Sequence, residues 1–224
     1  MDVAEILGAA RRASLTLCSL CIAMALMATP LWSAKADEIR LLALGDSLSA
    51  GYGLALGEGF SDQLGAALRK AGLDVVVLNG GVSGDTTAGG LARLDWMLSD
   101  APDAVIVELG ANDGLRGLDP TQTLANLDAI LNTLIERDIP TLLTGMLAPP
   151  NMGSEYGEDF NGLYPLLASR HDVVFYPFFL EGVAGKPALN QEDATHPNAE
   201  GVAEIIRRIL PSVNELLARL NGAP

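Results

Sequence analysis

Cysteine is nearly absent from this 224-residue chain, and its placement limits the chemistry available. The only two, Cys18 and Cys21, fall within the first 36 residues. From residue 37 onward there is no disulfide, no thiol nucleophile and no thiolate metal site. Histidine is equally sparse: His171 and His196 must share any imidazole chemistry between them. Aromatic residues make up 5% of the chain, and Trp32 and Trp96 are its only tryptophans, which leaves little for stacking sugars. Basic residues number 14 against 28 acidic ones, a balance that repels nucleic acid and anionic lipid surfaces. The phosphate fingerprints are missing as well, since the Gly80–Gly84 loop lacks G-x-G-x-x-G and any following Lys-Ser/Thr.

What is present begins with a distinct amino-terminal segment. Arg11-Arg12 precede an uncharged stretch from Ala13 to Ala34, and Ala34-Lys35-Ala36 has the small-x-small pattern of a signal-peptidase site. Residues 1–36 are thus expected to be a cleaved signal peptide and 37–224 a single domain. A retained membrane anchor is the competing reading, because about 20 apolar residues can span a bilayer; Pro30 and the many small residues oppose it. Neither cysteine sits in a lipoprotein box, since Leu17 and Leu20 stand where a small residue is expected. Removing the segment leaves 11 basic and 26 acidic side chains, a net charge of −15. The expectation is a periplasmic or secreted bacterial monomer with no stable membrane insertion and no nucleic-acid partner.

Beyond residue 37, apolar runs alternate with helical patterns. Strands are expected at Ile39–Gly45, Leu73–Asn79, Ala104–Gly110, Ile139–Met146 and Asp172–Pro177. Their near-continuous Val, Leu and Ile content marks strands buried on both faces, hence a parallel sheet. Their ends recur every 31 to 36 residues, the spacing of repeated βα units. Helical stripes run through Phe60, Leu64, Leu68 and Ala71, through Leu91, Leu94 and Leu98, and from Asp119-Pro120 through Leu124 to Ile135. A last helix opens near Asn198 and is expected to kink at Pro211. The pattern predicts a three-layer α/β/α sandwich with a central, mainly parallel sheet of about five strands, flavodoxin-like in order.

Four short motifs fall near strand ends: Gly45-Asp46-Ser47, Gly80 to Thr86, Gly110-Ala111-Asn112-Asp113, and Asp193 to Asn198. Each has a plain explanation in turns and helix caps. Together they supply a hydroxyl, an imidazole, a carboxylate and hydrogen-bond donors, the parts of acyl transfer. Ser47 would attack a carbonyl, His196 would take its proton, and Asp193 would orient the imidazole. The Ser47 and Gly84 backbone N–H groups and the Asn112 amide would face the oxyanion. His171, at the amino end of the fifth strand, lies on the wrong edge and reads as a surface loop residue.

These blocks resemble the SGNH (GDSL) hydrolases, whose name lists the residue types found at Ser47, Gly84, Asn112 and His196. The bacterial multifunctional acyl-CoA thioesterase I/lysophospholipase/arylesterase subgroup is the most similar, through Gly45–Gly53, Ser83–Thr87 and Glu108–Gly117. The resemblance implies hydrolysis of small acyl esters and thioesters without metal or organic cofactor, a catalytic Asp193, and a mobile loop near Leu115–Leu118 beside an acyl groove. That groove is expected to take Leu115, Leu118, Met146, Leu147, Pro149 and Met152. Relatives often carry a basic residue near position 147, where this chain is uncharged. Two other readings stay open: a carbohydrate O-acetyl esterase using the same site, and a non-catalytic phosphate- or nucleotide-binding α/β module.

Overall fold

The computed structural model describes residues 38–220 and Gly222. The expected signal peptide lies outside the described residues. In chain order the elements are β1 (Ile39–Gly45), the one-turn helix α1 (Ser47–Ala50), α2 (Phe60–Lys70), β2 (Val75–Gly81), α3 (Thr87–Leu98), β3 (Ala104–Glu108), the short α4 (Ala111–Leu115), α5 (Pro120–Glu136), β4 (Thr141–Thr144), α6 (Ser154–His171), β5 (Val174–Tyr176) and α7 (Ala199–Arg219).

The five strands pair in the order β2-β1-β3-β4-β5, all parallel. This is the flavodoxin-like order that the βα spacing predicts, and right-handed crossovers place helices on both faces. Leu41 to Leu44 on β1 and Ala104 to Val107 on β3 are fully buried, as strands covered on both sides must be. Register aligns Gly45 with Gly81 on one side and with Glu108 on the other. Three strands therefore end together, and the loops that leave them converge on one edge of the sheet.

The helices pack on the sheet through the stripes read above. Phe60, Leu64 and Leu68 of α2 are buried, as are Leu94 and Leu98 of α3 and Leu127, Leu131 and Leu134 of α5. Asp119 caps α5 by accepting the Thr121 N–H at 2.9 Å, with Pro120 as the first helical residue. Asn198 caps α7 by accepting from Gly201 N–H at 2.9 Å. α7 runs through Pro211, the position where a kink is expected, and continues to Arg219. Leu210 and Val213 hold this stretch against the core, and packing of the apolar face outweighs the lost N–H. Among the described residues no helix is long and apolar enough to cross a membrane.

Strand bounds and the place of His171 need correction here: β3, β4 and β5 are shorter than the apolar runs that predict them. The second strand starts at Val75 and runs on to Gly81, because Asn79, Gly80 and Gly81 continue the ladder beside β1. His171 is the last residue of α6, not part of a surface loop. Its side chain is 7% exposed, and Nε2 lies 2.8 Å from Asp128 Oδ1 on α5. The helix carries it inward because Phe160, Leu163, Tyr164 and Leu167 bury the same face.

Candidate active site

The turn from β1 into α1 sets the geometry of the site. Asp46 caps α1: its Oδ1 accepts the Leu48 N–H at 3.0 Å and its carbonyl accepts the Ala50 N–H at 2.9 Å. Ser47 thereby becomes the first helical residue, with a backbone N–H that has no acceptor within the helix. The turn is too tight for a side chain at position 45, where a Cβ would overlap Ser49 Oγ and Glu108 Oε2. Glycine is a steric requirement of this strand end.

From 149 residues away, the loop before α7 brings His196 to the same edge, with Nε2 2.9 Å from Ser47 Oγ. The other ring nitrogen, Nδ1, lies 2.6 Å from Asp193 Oδ2. The three-residue spacing works because Asp193 closes an Asx turn on its own loop. Its Oδ1 accepts the backbone N–H groups of both Thr195 and His196, each at 2.9 Å. Those two backbone hydrogen bonds, from His196 first and then Thr195, together with the imidazole hydrogen bond, lower the Asp193 pKa to about 2. The carboxylate is therefore ionised across the physiological range. It accepts the Nδ1 proton, which leaves Nε2 as the nitrogen able to accept from Ser47.

The other two expected donors, Gly84 and Asn112, follow the ends of β2 and β3. Gly84 adopts φ +81°, a left-handed conformation that favours glycine. Its carbonyl accepts from Arg116 Nη2 at 2.8 Å, and Arg93 binds both Asp85 Oδ2, at 2.7 Å, and the Gly45 carbonyl, at 2.9 Å. Asn112 Nδ2 donates to Asp46 Oδ2 and to the Asp85 carbonyl, each at 2.9 Å. Ser47, His196 and Asn112 all border one cavity of about 510 Å³. Among the described residues no group of three His, Cys, Asp or Glu side chains is arranged to hold a metal ion.

The cavity continues as an apolar groove. Of the expected substrate residues, Leu115, Met146, Leu147 and Pro149 line it. Leu118 and Met152 do not. Leu118 is occupied through its carbonyl, which accepts from Tyr156 Oη at 2.9 Å, and Met152 borders a separate, more open hollow with Glu155 and Tyr156. The opposite wall, Phe178, Leu180 and Ala184, comes from the irregular segment after β5, which no periodicity in the sequence singled out. Tyr52 was missed as well. Its ring lies against the imidazole in a tilted contact, and its carbonyl accepts from Gln191 Nε2 at 2.7 Å.

The family model described as "GDSL-like Lipase/Acylhydrolase family" matches residues 43–203. Among curated relatives, the chain is 41% identical over 182 residues to an arylesterase of Vibrio mimicus, covering 80% of this chain and 90% of that protein. It is 40% identical over 187 residues to the thioesterase 1/protease 1/lysophospholipase L1 of Escherichia coli (strain K12), covering 81% and 88%. Among solved structures, that of AlinE4, an SGNH-hydrolase family esterase, is 48% identical and superimposes with a TM-score of 0.69, covering 81% of this chain and 97% of that one.

Proposed function

The chain belongs to the GDSL-like lipase/acylhydrolase family and is a serine hydrolase of carboxylic esters and thioesters; we propose that its reaction runs through an acyl intermediate on Ser47. The observation that carries this reading is the unbroken relay from Asp193 to His196 to Ser47, at 2.6 and 2.9 Å, opening into the apolar cavity.

In the acylation step His196 Nε2 takes the Ser47 hydroxyl proton as Oγ bonds to the substrate carbonyl carbon. Asp193 keeps the proton on Nδ1 and balances the imidazolium that forms. The negative charge on the former carbonyl oxygen falls to the Ser47 and Gly84 N–H groups and the Asn112 amide. As the tetrahedral species collapses, the bond to the alkoxide or thiolate breaks and Nε2 returns the proton to it. Water then attacks the acyl-serine with the same base, releasing the carboxylic acid and restoring the Ser47 hydroxyl.

In this reading the acyl chain lies between Met146 and Leu147 on one wall and Phe178 and Leu180 on the other, a placement supported by the apolar lining of the cavity. Export, by cleavage of residues 1–36, completes the proposal and rests on the composition of that segment. Incubation with a fluorophosphonate probe followed by peptide mapping tests the core of it. Adduct on Ser47, abolished in Ser47→Ala, is expected; labelling elsewhere, or none, would overturn the assignment. Amino-terminal sequencing of protein recovered from the periplasm tests the export, with Asp37 expected as the first residue.

A further inference from the structure

The amide of Asn112 is fully engaged before any substrate arrives. Its nitrogen has two hydrogens, one on Asp46 Oδ2 and one on the Asp85 carbonyl. The Asp85 carbonyl is always an acceptor, and the ionised Asp46 carboxylate offers two acceptor oxygens and no donor. A flipped amide would set its oxygen against two oxygens, so this pair of acceptors fixes which end of Asn112 faces Ser47. The backbone carbonyl of Asp85 would do so alone only weakly, because it leaves the second hydrogen free to turn with the side chain.

Asp46 is itself clamped. Its other oxygen holds the Leu48 N–H at 3.0 Å, and its backbone N–H donates to Glu108 Oε2 at 3.3 Å. Glu108 is fully buried and also accepts from Ser49 Oγ at 2.8 Å. Asp46 is 1% exposed, so its carboxylate cannot swing away to water. A helix cap needs only one acceptor oxygen. The second oxygen of Asp46 has a separate partner, and that partner is the proposed oxyanion donor.

We infer that Asp46 is a positioning residue for the reaction, acting through Asn112: it aims the amide at the oxyanion site and releases part of its hydrogen bond as the negative charge forms there. The inference rests on the proposed role of Asn112. It predicts that Asp46 contributes to kcat only while Asn112 is present.

A double-mutant cycle reads this directly. Asp46→Asn retains one acceptor oxygen where the carboxylate has two, so it can serve Leu48 or Asn112 but not both. Asp46→Ser retains the cap on Leu48 and is too short to reach Asn112, which separates the two roles and keeps the fold testable by thermal melting. With a soluble p-nitrophenyl ester, Asn112→Ala is expected to lower kcat by ~10²–10³. Asp46→Asn and Asp46→Ser should each lower kcat by about 10–100-fold with KM within about three-fold. In the Asn112→Ala background the same substitutions should change kcat by less than about three-fold. Equal losses in both backgrounds, or full kcat in Asp46→Ser, would overturn the inference and leave the oxyanion role of Asn112 standing. Full kcat in Asn112→Ala would remove both.

Discussion

The ring of Tyr52 lies 4.6 Å, centroid to centroid, from the imidazole of His196, with the planes tilted by 38°. The contact ties the base to the nucleophile's own turn. Tyr52 N–H donates to the Ser47 carbonyl at 3.1 Å, and Gln191 links the Tyr52 carbonyl, at 2.7 Å, to the loop that carries His196. Gln191 N–H completes that link by donating to the His196 carbonyl at 2.8 Å. An aromatic face beside an imidazole favours the cation that forms while Ser47 attacks.

Removal of the ring by Tyr52→Ala should therefore cost about 0.5–1 kcal/mol in the transition state, a typical value for an exposed cation–π contact, or roughly two- to five-fold in kcat/KM. Tyr52→Phe keeps the face and should stay within about two-fold of wild type. Steady-state kinetics on one ester decides it, and equal losses in both variants would assign the effect to the hydroxyl instead.

The two histidines should separate completely. His196→Ala should lower kcat by several orders of magnitude, and Asp193→Asn by about 10²–10⁴ through loss of tautomer control. His171→Ala should leave kcat/KM within a few-fold, because its partner is Asp128 of α5, at 2.8 Å, and neither residue lines the cavity that Ser47 and His196 border. It should instead lower the melting temperature, since it empties a largely buried site and removes the His171 hydrogen bond that holds the Asp128 carboxyl below its usual range. Activity lost in His171→Ala with a normal melt would contradict the triad.

The parts of this protein legible in the sequence are those written in short-range patterns. β1 appears with its full boundaries because an apolar run stops at a glycine, and the sheet order agrees with the βα spacing combined with right-handed crossovers. Ser47, Asn112 and His196 stand out because their neighbours form compact motifs. α6 is less visible: Phe160, Leu163, Tyr164 and Leu167 keep helical spacing, but Gly157, Gly162 and Pro165 punctuate it as a loop would be punctuated. Phe178 and Leu180 reach the cavity through tertiary folding, with Phe179 N–H donating to the Gly145 carbonyl at 2.9 Å, and no local period encodes that. Asp46 was readable as a cap, yet its second oxygen finds Asn112 across 66 residues. Long-range pairings of this kind leave no trace in spacing.

Groove length should show in substrate preference. Each methylene buried against Leu147, Phe178 and Leu180 can contribute about 0.8 kcal/mol, roughly four-fold in kcat/KM. Across p-nitrophenyl esters from C2 to C16, medium chains should exceed acetate, and Phe178→Ala should lower kcat/KM for C8 by more than for C2. A steady decline from C2 to C8 would instead favour a deacetylase acting on small polar esters.

The last prediction concerns acid–base balance beneath the site. Glu108 is fully buried, its Oε1 has no hydrogen-bond partner among the described residues, and the Asp46 carboxylate lies beside it. Burial first, and the Asp46 charge second, raise its pKa well above the ordinary value of 4.5, against the hydrogen bonds from Ser49 and the Asp46 N–H. Burial likewise raises Asp46 from 3.8 to about 6. Both folded-state pKa values exceed the unfolded ones, so the folded protein binds more protons and stability falls as pH rises. The Asp46 contribution disappears between about pH 3.8 and about 6, and that of Glu108 from about 4.5 up through its raised folded value. Asp193 has the opposite sign: lowered to about 2, it stabilises above pH 3.8 and that contribution is lost only on acidification toward 2. Between pH 5 and 8 the buried pair should therefore dominate the slope. Glu108→Gln replaces the titrating acid with a neutral group of the same shape. Its melting temperature should change less with pH than that of the wild type, and the gap should move in the variant's favour as pH rises from 5 to 8. Thermal melts at unit pH intervals measure this, and a gap that stays constant across the range would show that Glu108 does not take up a proton on folding.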